Sequence, residues 1–461
     1  MLHTKLLLQR RAMKIKLLVL FFVSCLLTAQ QNKDPMRVIG DSLIGRVENG
    51  QSIREVIGNV VMTQGNVNIT CDRAIQNISM NSAELISNVV VTKDTIEILT
   101  ERAFYFGNEK FTYSDTTLSL EDGHLVLTAE SGYFYFDIDK AIFKFNVQLI
   151  DSANILNSDK LTYWNKTNKA IAVGNVEITN NETTIYADSL IHFREINHTE
   201  AFSNVVIDDP KNNLVITGEY LIDDGEQNYS RITGSPLLRK IDTTSTGNLD
   251  TLYIKSEVLE SIEDSTKRLI ATDSVKIIRD DFLSISNIAI LFRDENRILT
   301  YKNETDNIPP ILWYKNSQVF GDSINIYLKK NQLEWIKIRN NATIISQNPE
   351  YVFRFDQITG DEIELYFSEQ GLTRTEVLEN VLSIYYLYED EKPNGLLKSS
   401  SQRAKMIFED NAVIDVRLFQ SVESEYHPEN LVEGKEKDFT LPTFIVYDNK
   451  PNLKDILKEK K

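Results

Sequence analysis

Gly174-Asn175-Val176-Glu177-Ile178-Thr179, continued by Ile185-Tyr186-Ala187-Asp188-Ser189-Leu190, is the stretch on which the fold turns. In the first run Val176 and Ile178 point one way, and Glu177 and Thr179 point the other. A period of two is that of a half-buried β-strand. Gly-Asn ahead of it reads as a tight turn. The second run alternates in the same sense and predicts a second strand.

Stepping from Asn175 by 29 residues in either direction meets Asn59, Asn88, Thr117, Asn146 and Asn204. One residue after each lies an aliphatic side chain: Val60, Val89, Leu118, Val147, Val176 and Val205. Three residues after each lies another: Met62, Val91, Leu120, Leu149, Ile178 and Ile207. Further along each unit comes a small residue, then an acid: Cys71-Asp72, Thr100-Glu101, Ala129-Glu130, Ser158-Asp159, Ala187-Asp188 and Gly218-Glu219. Apolar pairs mark the second run: Val67 and Ile69, Ile96 and Ile98, Leu125 and Leu127, Leu214 and Ile216, with Ile185 in the fifth unit. A fixed period of this size belongs to stacked repeats, none of which buries its apolar face alone. Residues 32–235 carry this pattern. Residues 236–428 carry a degenerate echo, with Gly321-Asp322-Ser323-Ile324 and Gly360-Asp361-Glu362-Ile363 spaced 39 apart. Residues 429–461 read as a charged, mobile tail around one strand at Thr443–Tyr447.

The chain has 461 residues and is rich in strand-forming Ile, Val, Thr, Tyr and Phe. Residues 1–31 read as an export signal, with Lys5, Arg10, Arg11, Lys14 and Lys16 ahead of an apolar core from Leu17 to Leu27. That core is about 11 residues, against roughly 20 for a spanning helix. Two other readings of the segment stay open, an uncleaved anchor and lipidation at Cys25. Residues 1–30 hold five basic side chains and no acids, so their removal leaves 45 basic against 67 acidic, a net of −22. Such a surface repels nucleic acid, so no nucleic-acid partner is expected. Cys71 alone remains, so no internal disulfide can form.

No GxSxG, Walker A or HExxH phrase occurs, and neither a catalytic residue nor a cofactor is expected. His192 and His198 stand six apart without a cysteine nearby and read as surface histidines rather than a metal site. The recurring acids read as solvated turn caps, because the Gly-rich loops of cation-binding β-helices are missing.

A sheet with one apolar face must cover it. Helical periodicity is absent, so the sheet is expected to curl on itself into an elongated antiparallel β-roll. Its interior is either a closed core or an open groove for an acyl chain.

The phrases Gly58–Thr63, Ser87–Thr92 and Gly174–Thr179, each followed by a small-Asp phrase, resemble the OstA/LptA-like (organic solvent tolerance) family of lipopolysaccharide-transport proteins. The resemblance implies a V-shaped, folded-sheet jelly roll in the periplasm that shields lipid A acyl chains of lipopolysaccharide. It makes the aliphatic side chains named above groove lining. It also implies end-to-end strand pairing with other lipopolysaccharide-transport proteins. This chain is longer than a single-domain bridge protein and too short to add the family's large outer-membrane barrel. A structural β-solenoid or adhesion protein with a closed core, and a polysaccharide-active parallel β-helix enzyme, are the competing readings.

Overall fold

The computed structural model describes residues 35–243, 247–303, 308–410 and 412–458. The export signal and Cys25 lie outside the described residues. Strands take 69% of the chain and helices 4%. The registered strand pairs are antiparallel, which rules out a parallel β-helix.

The chain divides into two compact units, Met1–Asp139 and Lys140–Lys461. In the first, Gln51–Gln64, Val67–Asn77, Ser82–Lys93 and Ile96–Phe106 form a meander of long strands. In the second, the meander starts with Lys140–Ile150, Ile155–Trp164, Lys169–Thr179, Thr184–Phe193 and His198–Asp209. It ends with longer strands, Phe355–Ser368, Gly371–Glu389 and Lys392–Glu409. Asn168 and Asn197 close two of the hairpins in the left-handed conformation, which Asn tolerates well.

The turn expected at Gly174-Asn175 is not a turn. Both residues lie inside the strand Lys169–Thr179, with φ of 82° and 45°. The ladder passes from Val173 opposite Ser189 to Val176 opposite Ala187, so two residues face Asp188 alone. This is a β-bulge, which bends a strand and sharpens its twist. Left-handed pairs recur at Gly58-Asn59, Ser87-Asn88, Phe145-Asn146 and Ser203-Asn204, and again at Asp273-Ser274, Asn340-Asn341 and Glu379-Asn380. Each sits at a register shift of its strand. Thr117 is the exception: its strand breaks between Phe111–Ser114 and Leu118–Glu121. The bulge and the break do the same work, dividing each long strand into two arms.

Both arms bury the same face. Ala170 and Ala172 before the bulge are buried, as are Val176 and Ile178 after it. Among the described residues no helical layer supplies the cover, so the arms cover each other. In the first unit this is visible directly. Gln64 lies beyond the bulge of its strand and Tyr105 lies on the opposite arm, yet the Tyr105 hydroxyl donates to Gln64 Oε1 at 2.6 Å.

The C-terminal segment departs from expectation. Thr443 lies in a turn closed by the Phe444 N–H on Leu441 O, and Thr443–Tyr447 joins no ladder. The segment is not a loose tail: Val432, Leu441 and Ile456 are buried. It lies against the outward face of the second unit's sheet, packed on Ile384, Tyr386 and Leu396 and on Ile311, Trp313, Phe320 and Ile345.

Candidate functional site

The strand register turns the sequence pattern into continuous rows. In the first unit Met62 faces Ile69, which faces Val91, then Ile98, Leu120 and Leu127 on successive strands. In the second unit the row is Leu149, Leu156, Ile178, Ile185, Ile207, Ile216 and Leu238. Directly opposite side chains on one face are the unit of sheet stabilisation. Here they also make an uninterrupted aliphatic wall.

A second line runs beside the corner. The small residues now have a reason. Cys71, Thr100, Ala129, Ser158, Ala187 and Gly218 stand opposite Val60, Val89, Leu118, Val147, Val176 and Val205. Space is short on the inside of the bend. A Cβ on Gly218 would come within 2.5 Å of Ile232, and one on Gly360 within 2.6 Å of Val377.

The residues singled out in the sequence all belong to this inward face. Val60, Met62, Val67, Ile69, Val89, Val91, Ile96, Ile98, Leu118, Leu120, Leu125 and Leu127 are buried in the first unit. Val147, Leu149, Val176, Ile178, Val205 and Ile216 are buried in the second. Ile185, Ile207 and Leu214 are half-buried. The interior of the first unit is therefore filled by its own side chains. The second is looser along one stretch of its row.

The rims of the seam differ in the same sense. In the first unit, Gln64 Nε2 donates to Gly107 O at 3.2 Å, and the Lys93 ammonium bonds Phe136 O and Asp139. These contacts bridge arm to arm. In the second unit, Arg279 is buried with Asp250 at 2.6 Å and donates to Asn331 O on the other arm. Asn331 Nδ2 in turn donates to Thr243 O at 3.3 Å. Near the half-buried stretch the bridge is an Arg194–Asp151 ion pair at 3.7 Å.

A polar row lines the same stretch. The register sets His192 opposite Thr199, Thr199 opposite Asp223 and Asp223 opposite Ser230. His192 Nδ1 and Thr199 Oγ1 are 3.0 Å apart, and the Ser230 hydroxyl donates to Asp223 at 2.5 Å. Burial lowers the His192 pKa and raises that of Asp223, so both are pushed toward their neutral forms. The sequence reading put His192 at the surface. It faces inward instead, because the strand Thr184–Phe193 shifts its inward set by one at Asp188, from Ala187 to Leu190. His198 pairs with Phe193 and so sits on the other face. The two histidines do not converge. Among the described residues no group of three His, Cys, Asp or Glu side chains is placed to hold a metal ion.

The recurring acids do cap, but they cap bulges. Asp159 accepts from Asn175 at 2.9 Å, Asp188 from Asn204 at 3.0 Å and Asp72 from Asn88 at 2.7 Å. Asp41 accepts from Asn59 at 2.9 Å and Asp361 from Asn380 at 3.0 Å. Bonds from Ser87 and Asn88 hold the Asp72 carboxyl below its usual range. Sequence reasoning saw both partners in register and missed that they meet. The offset of 16 residues from Asp72, Asp159 and Asp188 to the following Asn was the available signal.

A shallow cavity of about 520 Å³ lies elsewhere in the second unit, lined by Glu376, Arg403, Lys405, Leu418 and Phe419 among others. Its mixed polar lining does not continue the aliphatic row. No helix among the described residues is long and apolar enough to cross a membrane.

A search of curated proteins gives no match. Among solved structures, the chain is similar to LptH of Pseudomonas aeruginosa, described as the LptA-homologous periplasmic component of the lipopolysaccharide transport device. Identity is 12%, covering 32% of this chain and 94% of that one, with a TM-score of 0.17. A score that low carries no weight on how the strands are arranged. Residues 40–188 and 155–256 match the family model described as OstA-like protein. Residues 40–256, which hold the small-acid phrases and the inward aliphatic rows, are thus the part of this chain that is similar to the OstA-like protein family.

Proposed function

We propose that this protein is a periplasmic carrier or bridge for lipopolysaccharide, sheltering acyl chains along its inward aliphatic row. The observation that carries the reading is the unbroken row from Leu149 to Leu238 across adjacent strands. An acyl chain cannot cross water cheaply, since each buried methylene is worth about 0.8 kcal/mol. A lengthwise apolar seam removes that cost without any reaction.

The half-buried Ile185, Ile207 and Leu214 mark where cargo would enter. Elsewhere the arms must spread to admit it. That requirement gives the competing reading, a structural roll with a permanently closed core, its own support in the fully buried side chains of the first unit.

End-to-end pairing with other transport proteins fits two strands that are edges among the described residues. Ser42–Glu48 pairs with Gln51–Gln64 on one side and leaves Leu43 and Val47 exposed. Ala412–Phe419 pairs with Lys392–Glu409 and leaves Ile414 and Val416 exposed. Open ladders with apolar side chains are templates for another strand.

Photo-crosslinking from position 178 or 207 in cells should capture lipopolysaccharide, and position 177 should not. Capture from Glu177 alone, or from neither face, overturns the carrier reading in favour of the closed structural roll.

A further inference from the structure

The outward face of the last strands also carries apolar side chains. The register runs Trp313, Gln318, Ile345, Gln357 and Ile384 across adjacent strands on that face. Ile311, Phe320, Tyr386 and Leu396 flank this row. Bare, this would be a contiguous exposed apolar patch, a feature that marks interaction sites when large. The C-terminal segment covers it. Phe439 and Leu441 pack on the Ile384 cluster, and Phe444 and Tyr447 on the Trp313 cluster.

The segment is gripped by its backbone, though it forms no strand. Gln357 Oε1 accepts from Leu441 N at 2.8 Å, and its Nε2 donates to Phe439 O at 3.2 Å. Gln318 does the same at Tyr447, accepting from its N–H at 2.9 Å and donating to its carbonyl at 3.0 Å. The two glutamines are 39 residues apart, each three residues before a Gly-Asp pair, so successive units present the same reader. Arg354 anchors the start of the segment through Glu429, whose carboxylate also accepts from Gly395 N at 2.9 Å.

We infer that this outward face is a peptide-docking groove whose occupant is the C-terminal segment 429–447, held in cis and open to exchange with the same segment of a second copy. Two facts carry it. The glutamine amides suit a peptide and not an acyl chain: hydrocarbon would take the Leu441 N–H from Gln357 Oε1 and leave its Nε2 only the Phe355 carbonyl, and an unsatisfied buried acceptor is costly. The strap also shares no ladder with the sheet, so it can leave without breaking strand pairing. Tethering supplies a high effective concentration, so the cis form dominates until the strap is weakened. The groove is independent of the inward seam and of the carrier reading.

The test uses the full chain and a fluorescent peptide of residues 429–450. Wild type should bind the peptide weakly. Leu441→Asp with Phe444→Asp cripples the tethered strap and should raise affinity at least tenfold. Adding Gln318→Ala and Gln357→Ala should abolish that gain. Hydrogen exchange on otherwise wild-type chains gives a second readout that does not need the crippled strap. Gln357→Ala should release the Leu441 amide and spare Tyr447, and Gln318→Ala the reverse. No gain in peptide binding by a strap-crippled chain with intact strand signal overturns the proposal. So does binding that ignores both glutamines, or amide protection that neither glutamine change alters.

Discussion

Asn175 donates from Nδ2 to Asp159 Oδ2 at 2.9 Å, tying the bulge of one strand to the strand before it. The bond fixes a residue that already occupies the left-handed region, with φ of 45°. Gly174 beside it has no side chain for a steric reason: a Cβ there would sit 2.4 Å from Asp159 Oδ2.

Asn175→Val should therefore destabilise the second unit. A β-branched side chain in this conformation costs about 1–2 kcal/mol, and the lost hydrogen bond adds about 1 kcal/mol. Asn175→Gly removes the bond but keeps the conformation, and should cost less. Urea unfolding monitored by far-ultraviolet circular dichroism gives the ordering. Equal midpoints for the Val and Gly variants would show that the left-handed geometry is not what Asn175 supplies.

Here the sequence was legible in part. Val176 and Ile178 were readable as one face of a strand because side-chain alternation is local. The antiparallel roll followed from having one apolar face and no helices to cover it. The bulge was not readable, because Gly-Asn signals a hairpin turn and a left-handed pair inside a strand with the same letters. That ambiguity hid the shift of the inward set from Ala187 to Leu190, and with it the inward position of His192. The strap was hidden for another reason. Charges dominate residues 429–461, and Phe439, Leu441, Phe444 and Tyr447 lack the strict alternation of a strand. Only the three-dimensional surface they meet gives them a role.

The looseness at Ile185, Ile207 and Leu214 predicts unequal costs along the inward face. Leu127 is fully buried, and Leu127→Ala should cost about 2–5 kcal/mol by lost transfer energy and cavity formation. Leu214→Ala removes the same atoms from a half-buried site and should cost less than half as much. Thermal melts of the two variants test this. A Leu214→Ala penalty as large as that of Leu127→Ala would mean the second unit is as tightly filled as the first.

Asp356 gives stability a pH dependence of definite sign. Burial raises its pKa to about 7, although the Tyr386 N–H donates to its carboxylate at 2.9 Å. The unfolded value is about 3.9. Between these values the folded chain binds the extra proton, so this group's contribution falls as pH rises from about 4 to 7 and is flat above. Asp356→Asn keeps the acceptor and removes the charge. It should match wild type near pH 4 and exceed it at pH 8, read from unfolding midpoints across that range. A stability difference that does not change with pH would contradict the assignment.

Arg279 joins a buried ion pair on one arm of the second unit to the backbone of the other. Its Nε lies 2.6 Å from Asp250 and 3.3 Å from Asp281, and its guanidinium also donates to Asn331 O. Breaking a buried ion pair by removing one partner costs about 3–5 kcal/mol, because the other charge is stranded. Arg279→Met should cost that much at neutral pH. Burial already raises the Asp281 pKa against the pull of Arg279. Without the cation, Asp281 will hold its proton to still higher pH in the folded chain. The penalty should thus shrink as pH falls toward 4, because the folded chain then keeps the Asp281 carboxyl neutral. Pairing the change with Asp250→Leu should recover part of the loss at pH 7, since an apolar pair needs no counter-ion. Unfolding midpoints of the three variants at pH 4.5 and 7.5 decide the matter. A loss independent of pH, with no rescue by the second change, would show that Arg279 acts through packing and its bond to Asn331 rather than through charge.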